Sequence, residues 1–257
     1  MLFNLRNVEP ADGGREWGHG FENWKINGSD RGRGGLRLRF RNVFKPHKNR
    51  DANHPARSLI KRGLDIVLAA AMLVALAPVL CALALAIRID GGPALFRHRR
   101  VGVDGRTFYC LKFRSMCKDA EARLKNHLEQ NPDARAEWEK DFKLRNDPRI
   151  TPLGALLRRT SLDELPQLLN VLKGDMSLVG PRPIVTAEIP RYGNSFAAYL
   201  KCRPGITGLW QVSGRNDIDY GTRVELDSHY ATHWNLMTDV AILFRTIKVV
   251  FWRSGAY

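Results

Sequence analysis

The chain is poor in acid, poor in cysteine, and free of charge over one long stretch. Each shortage narrows what it can do. Acidic residues number 26 against 41 Lys and Arg in 257 residues, a formal net charge of +15. Such an excess calls for an anionic partner: nucleic acid, a membrane surface or a phosphorylated small molecule. There are four cysteines, Cys81, Cys110, Cys117 and Cys202, with no C-x-x-C pair among them. That spacing excludes a zinc site or a disulfide framework and fits a reducing compartment. His229 and His233 are four apart, but no acid occupies the zincin position beside them, so they are not read as a metal site. The start of the chain lacks an apolar segment and a small-residue cleavage pattern, so it does not read as a signal peptide. No recognised nucleic-acid module occurs anywhere.

What is present divides the chain into three. Residues 1–57 form a basic tail, expected to be mostly disordered. Its Gly-, Arg- and Asn-rich composition offers too few apolar residues to offset the entropy cost of folding. Residues 1–62 hold 14 Lys and Arg against 6 Asp and Glu, about half the basic excess. The second region, 58–90, contains the uncharged run "IVLAAAMLVALAPVLCALALAI", 22 residues from Ile66 to Ile87. As a helix it is long enough to cross a bilayer core. Lys45, Lys48, Arg50, Arg57, Lys61 and Arg62 precede it; Arg88, Arg97, Arg99, Arg100 and Arg106 follow. With both flanks basic, the positive-inside rule puts both ends on the cytoplasmic side. Pro78 removes a backbone donor near the middle. The expected form is therefore a re-entrant helix-break-helix with its break at Pro78.

The third region, 91–257, is expected to be a cytoplasmic catalytic domain of helix-rich α+β class. "LFRHRRVGVDGRTFYCLKFRSM" reads as a β-hairpin turning at Asp104-Gly105. In its second strand Cys110, Lys112 and Arg114 share one face, and adjacent cations there suit either solvent or a bound anion. Residues 117–146 read as a polar helical excursion interrupted at Asn131-Pro132-Asp133. Leu165, Leu168, Leu169 and Leu172 form a helical stripe ending near Gly174. "LMTDVAILFRTIKVVFWRSGAY" closes the domain as an apolar helix, either a core helix or one lying in the membrane interface, the interface favoured because the chain is already membrane-attached.

The chemistry centres on "RRTSLDELPQLLN", residues 158–170. Ser161 to Glu164 matches a capping box, which would make the acids a helix-start device. In that register Pro166 would fall where a backbone donor is needed; with Asp163 as cap it would fall in the first turn. Either way Asp163 and Glu164 sit at a helix N-terminus, and the dipole is expected to keep them charged. An ionised carboxylate suits a nucleophile or a magnesium ligand. "GPRP", residues 180–183, is either a rigid turn or a device that fixes Arg182 for a phosphate, and "RPG" at 203–205 repeats the pattern. Arg158, Arg182, Arg203 and Arg215, with Lys112 and Arg114, would then make a cationic pocket for a diphosphate and a divalent cation.

"LRRTSLDELPQLLNVLKGDMSLVGPRP" followed by "RPGITGLWQVSGRN" resembles the bacterial sugar transferases, the monotopic polyprenol-phosphate phosphoglycosyltransferases. The likeness covers about residues 58–257, and the ending "SGAY" looks like the rhizobial exopolysaccharide galactosyl-phosphate branch. The resemblance implies transfer of a sugar 1-phosphate, galactose favoured over glucose, from a UDP-sugar to undecaprenyl phosphate with release of UMP. It implies Asp163 as nucleophile through a phosphosugar-aspartyl intermediate, and Glu164 as ligand of Mg²⁺, for which Mn²⁺ can substitute. Arg158 and Arg182 match the phosphate-binding arginines; Lys112, Arg114, Arg203 and Arg215 are further candidates. It implies a place on the cytoplasmic face of the bacterial inner membrane, inner-membrane lipids as partners and no nucleic acid, with a homodimer as an open expectation. Rival readings are a non-catalytic scaffold for polysaccharide assembly and a basic nucleic-acid-binding membrane protein.

Overall fold

The computed structural model describes residues 54–89, 91–141, 144–214 and 218–252. The basic tail up to residue 53, Arg215 and the terminal "SGAY" therefore lie outside the described residues.

Helix α1, Leu59–Arg88, contains the whole uncharged run. Ser58 caps it by accepting from the Lys61 N–H at 3.3 Å. α1 is one helix through Pro78, where two were expected. Ala and Leu dominate around the proline and favour helix, and a helix can bend at proline while staying helical on both sides. It is long and apolar enough to cross a membrane, and only 6% of its most apolar stretch is buried.

Strands β1, Leu95–Val101, and β2, Thr107–Phe113, form the expected antiparallel hairpin, with Leu95 opposite Phe113 and Val101 opposite Thr107. Asp104 and Gly105 both adopt positive φ, 54° and 75°, and the Arg106 N–H reaches the Val103 carbonyl at 3.1 Å. An Asp-Gly pair tolerates that geometry, and it matches the twist of a tight hairpin.

The polar excursion is α2, Ala120–Gln130, and α3, Pro132–Asp141, broken at Asn131 as expected. α4, Pro152–Thr160, leads through a 3₁₀ turn, Leu162–Glu164, into α5, Gln167–Lys173. Gly174 closes α5 at φ 95°. The leucine stripe needs one correction. Leu168 and Val171 are buried and Leu165 and Leu172 pack beside them, but Leu169 is exposed. The 3₁₀ entry delays α5, and its inner face is set by Leu168 and Val171.

Beyond α5 come β3, Ser177–Val179; two short helices, α6, Ile189–Tyr192, and α7, Phe196–Tyr199; and β4, Gly205–Thr207. β3 and β4 pair in parallel, Ser177 with Gly205 and Val179 with Thr207. α8, Leu209–Ser213, α9, Tyr220–Thr232, and α10, Leu236–Trp252, complete the helix-rich α+β fold. The main core joins Ala69 of α1 with Phe108 and Cys110 of β2, Leu168 and Val171 of α5, Met176, Leu178, Val179, Tyr230 of α9 and Ile242 of α10. Both ends of α1 therefore rest on one body. Its N-terminal turns join this core, and Ile87 at its other end packs with Phe113 and Leu157.

Candidate active site

The two acids lie on the 3₁₀ turn rather than at either of the expected caps. Ser161 adopts φ 57°, and its carbonyl, not its hydroxyl, takes the Glu164 N–H at 3.2 Å. Pro166 stands at the N-cap of α5, where its missing donor costs nothing. α5 is held to the hairpin by buried Asn170. Its Oδ1 accepts from the Leu111 N–H at 2.9 Å, and its Nδ2 donates to the Tyr109 carbonyl at 2.8 Å. This clamp brings the next hairpin residue, Lys112, over the acids: Lys112 Nζ lies 2.6 Å from Glu164 Oε1.

The two carboxylates differ. Asp163 is only 8% exposed, and burial pushes its pKa up to about 6; the nearby Glu164 charge adds to this, while Lys112 and Arg158 oppose it. The expectation that the helix dipole keeps Asp163 a low-pKa carboxylate is thus corrected, because desolvation outweighs the end of a short helix. Burial also acts on Glu164, but the Lys112 ion pair more than offsets it, leaving Glu164 below the usual carboxylate range. At neutral pH both are ionised, and Asp163 is the more basic. Cys110, close by on β2, is held as a thiol by burial, so it does not compete as a nucleophile.

Arginines surround this pair in two groups. Arg158 on α4 donates from Nε to Ser115 Oγ at 2.9 Å and contributes positive charge at Asp163. Arg182 follows β3 in the Gly180-Pro181-Arg182-Pro183 turn. A Cβ on Gly180 would meet the Arg203 carbonyl at 2.3 Å, so glycine is required for β3 and the 203–205 segment to approach. The Arg182 guanidinium stands over the Trp210 ring at 5.6 Å, and its charge acts on Glu164. Arg223 of α9 stands over the same ring at 5.5 Å and reaches Glu188 at 3.1 Å. Among the described residues, Arg182 Nε, Arg223 Nε and Trp210 Nε1 are buried donors without an acceptor. Buried unpaired donors are costly, and an anionic oxygen is what would satisfy them.

Several residues of this wall were not singled out from sequence. Arg100 on β1 donates to the Pro183 carbonyl at 3.1 Å and lies 2.9 Å from His98 Nδ1. Burial, then Arg100 and Lys112, push His98 down to about 4, so it is neutral at pH 7. Arginine has no acceptor, so Nδ1 accepts and the His98 proton sits on Nε2. Glu188 gathers Arg223, Tyr220 and the Val185 N–H. Asn170, Arg100, Glu188, Arg223 and Trp210 come from separate elements, and local spacing carries no sign of them.

Two predicted cations are employed elsewhere. Arg114, expected on the same strand face as Lys112, lies just past the end of β2 and donates from Nη2 to the Ile87 carbonyl at 2.7 Å, at the C-terminal end of α1. Arg203 donates to the Gly174 carbonyl at 3.0 Å and to the Ala56 carbonyl at 2.5 Å, with Arg62 close enough to oppose its charge. Among the described residues no group of three or more His, Cys, Asp or Glu side chains is placed to hold a metal ion.

Residues 56–253 match the model of the family described as bacterial sugar transferase. The chain belongs to the bacterial sugar transferase family. Among its relatives, the undecaprenyl-phosphate galactose phosphotransferase of Salmonella typhimurium is 58% identical over 198 residues, which cover 77% of this chain and 42% of that protein. The exopolysaccharide production protein ExoY of Rhizobium meliloti is 46% identical over 207 residues, covering 80% of this chain and 92% of that protein. The UDP-glucose:undecaprenyl-phosphate glucose-1-phosphate transferase of Escherichia coli is 40% identical over 208 residues, covering 77% of this chain and 42% of that protein. This member of the family thus spans less than half the length of the Salmonella and Escherichia relatives and nearly the whole of ExoY.

Proposed function

We propose that the protein transfers galactose 1-phosphate from UDP-galactose to undecaprenyl phosphate, releasing UMP, as the first step of exopolysaccharide repeat-unit assembly on the cytoplasmic face of the inner membrane. The observation that carries this reading is Asp163, a buried carboxylate within reach of Lys112 and Arg158 charge, beside Glu164, which Lys112 pairs and on which Arg182 and Arg100 charge also acts. Relatives named for galactose, at 58% and 54% identity, resemble the chain more than the Escherichia relative named for glucose, at 40%.

The chemistry takes two displacements. The Asp163 carboxylate attacks the sugar-bearing phosphorus, an acyl-phosphate bond forms, the diphosphate P–O bond breaks and UMP leaves. An oxygen of undecaprenyl phosphate then attacks the same phosphorus, breaks the aspartyl–phosphate bond and restores the carboxylate. A pKa of about 6 suits the first step, since Asp163 is ionised at pH 7.5 yet more nucleophilic than an ordinary aspartate. Lys112, Arg182 and Arg158 balance the charge on the transferring phosphoryl group. Arg100 holds the Pro183 end of the Arg182 turn. Mg²⁺ fits the donor set: it uses one or two carboxylates and completes its shell with substrate phosphate oxygens. Glu164 would hold it, with Lys112 shifting from the carboxylate to a phosphate oxygen; the ion would supply charge neutralisation at the diphosphate.

The acceptor is a membrane lipid, and the protein must meet it at headgroup depth. α1 supports a re-entrant seating with a bend at Pro78, because both its ends pack on the same body. α10 supports interfacial contact through exposed Met237, Phe244 and Ile247. Cysteine labelling on both flanks of α1 in intact cells tests the seating: same-side protection is expected, and opposite-side labelling overturns it. UMP release from a panel of UDP-sugars with undecaprenyl phosphate tests the activity. UDP-galactose is expected to give the fastest release; preference for UDP-glucose reassigns the sugar, and no release from any donor favours the scaffold reading.

A further inference from the structure

The first turns of α1 look from sequence like the basic flank of a membrane segment. In the fold one face of them is buried against β3. Lys61 and Asp65 are each 5% exposed and Ala69 is fully buried, one inward face at i, i+4, i+8. Each of the two charged residues grips β3. Asp65 Oδ1 accepts from the Leu178 N–H at 3.0 Å, and Lys61 Nζ donates to the Val179 carbonyl at 3.0 Å. Lys61 is held in turn by Asp239 at 2.5 Å. Asp239 also accepts from Tyr230 Oη at 2.7 Å and Trp234 Nε1 at 3.1 Å. Val179 is followed by Gly180, Pro181 and Arg182, and prolines on both sides leave that turn little freedom to correct a displaced strand. On the other flank Arg62 donates to the Val171 and Leu172 carbonyls, at 2.6 and 2.9 Å, at the end of the helix that follows Asp163 and Glu164. One helical turn of α1 thus holds the strand that presents Arg182 and the helix that follows the acids.

We propose that Asp65, supported by Lys61, is a positioning residue for Arg182: it fixes β3 so that the Arg182 guanidinium meets the diphosphate, and so links the seating of the membrane helix to substrate grip. This rests on the transferase reading above. A strand bonded at both Leu178 and Val179 to α1 moves with α1, and a displacement near 1 Å at a phosphate-binding group costs on the order of 10²-fold in rate.

The test is a double-mutant cycle on the full chain in nanodiscs, reading UMP release from UDP-galactose and, separately, the Kd for UDP by calorimetry. Asp65→Asn keeps an acceptor oxygen for the Leu178 N–H and is expected to stay within about threefold of wild type. Asp65→Ala removes the acceptor and is expected to lower kcat/KM and weaken UDP binding by about tenfold or more. In an Arg182→Ala background the same change is expected to add no further loss. Equal losses in both backgrounds, or wild-type kinetics in Asp65→Ala, overturn the proposal. If Asp65→Ala does not fold, Asp65→Glu shifts the acceptor by one methylene and carries the same cycle with the same outcomes. Wild type that binds UDP but turns over no UDP-sugar refutes the transferase reading alone, and the cycle in Kd still decides the role of Asp65. Wild type that neither binds UDP nor turns over refutes both.

Discussion

Two buried charge clusters adjoin β3 and the turn that follows it, and they are built in opposite ways. Beneath α1, Lys61, Asp239, Tyr230 and Trp234 satisfy one another, and Asp65 has the Leu178 N–H. In the second, Arg182 Nε, Arg223 Nε and Trp210 Nε1 are buried donors without acceptors among the described residues, and Asp163 is a carboxylate that burial makes harder to ionise. Both regions pay desolvation, but only the first recovers it within the folded chain. A charge network closed on itself holds structure. A network left open by several donors of one kind is shaped for a ligand of the opposite kind.

The sharpest way to break this contrast is to neutralise one charged side chain in each cluster. Asp163→Asn is expected to reduce UMP release below detection, a loss of at least about 10⁴-fold, since the acyl-phosphate cannot form. Its stability is expected to change in the other direction. The native pKa of about 6 lies above the unfolded value, so wild type loses stability as pH rises from about 4 through 6, and the asparagine variant does not. A higher unfolding temperature for the variant at pH 7.5, in detergent, checks this. Retained turnover would remove Asp163 as nucleophile.

In the closed cluster the order of effects reverses. Lys61→Met leaves Asp239 buried without its cation and is expected to cost about 3–5 kcal/mol of stability, while Lys61→Met with Asp239→Leu together cost less than Lys61→Met alone. Denaturant unfolding of the two variants measures it. A larger loss in the double variant would mean the network does more than neutralise itself.

Two arginines that look alike in sequence sharpen the comparison further. Arg182 and Arg203 each stand beside proline and glycine, and nothing local separates them. In the fold Arg203 spends its donors on the Gly174 and Ala56 carbonyls, while Arg182 keeps an unpaired donor over Trp210. Arg182→Ala is expected to lower kcat/KM by about 10²-fold or more with little change in unfolding temperature. Arg203→Ala is expected to lower the unfolding temperature, with kcat/KM within about threefold at a temperature where the variant is folded. Steady-state kinetics and melting curves on both variants decide it; the reverse pattern would exchange their roles.

The same pair shows what a sequence can carry. Local chemistry was legible: the Asp104-Gly105 turn, the break at Asn131, the uncharged helix and the adjacent acids all depend on neighbours in the chain. The wall of the site was only half legible. Arg223 and Trp210 meet Arg182 from two later helices, and Asn170 reaches residues about sixty positions away. Lys61 reads as flanking charge because a charge next to an apolar run ordinarily faces headgroups or water, and Asp65 carries no local sign of a role. Their burial is decided by β3, which follows more than a hundred residues later.

The smallest expected effect belongs to an acid that falls between the two clusters. Asp227 on α9 is buried; it accepts from Tyr192 Oη at 2.8 Å, its Oδ1 has no partner of hydrogen-bond geometry among the described residues, and the Arg182 backbone N–H lies near enough to favour its charge. Burial raises its pKa to about 7, with the Tyr192 hydrogen bond and Arg223 opposing the rise. The sign follows from linkage. Between about pH 4 and 7 the native state keeps a proton that the unfolded chain has given up, so stability falls as pH rises through that window and the burial cost is complete above it. Asp227→Asn keeps an acceptor for Tyr192 and removes the charge. Its stability relative to wild type is expected to be near zero at pH 4 and to grow to the order of 1–3 kcal/mol at pH 8. Denaturant unfolding of the pair across that range measures the difference directly. A flat difference would mean that Arg223 compensates the charge fully, and Asp227 would then belong with the closed cluster rather than the open one.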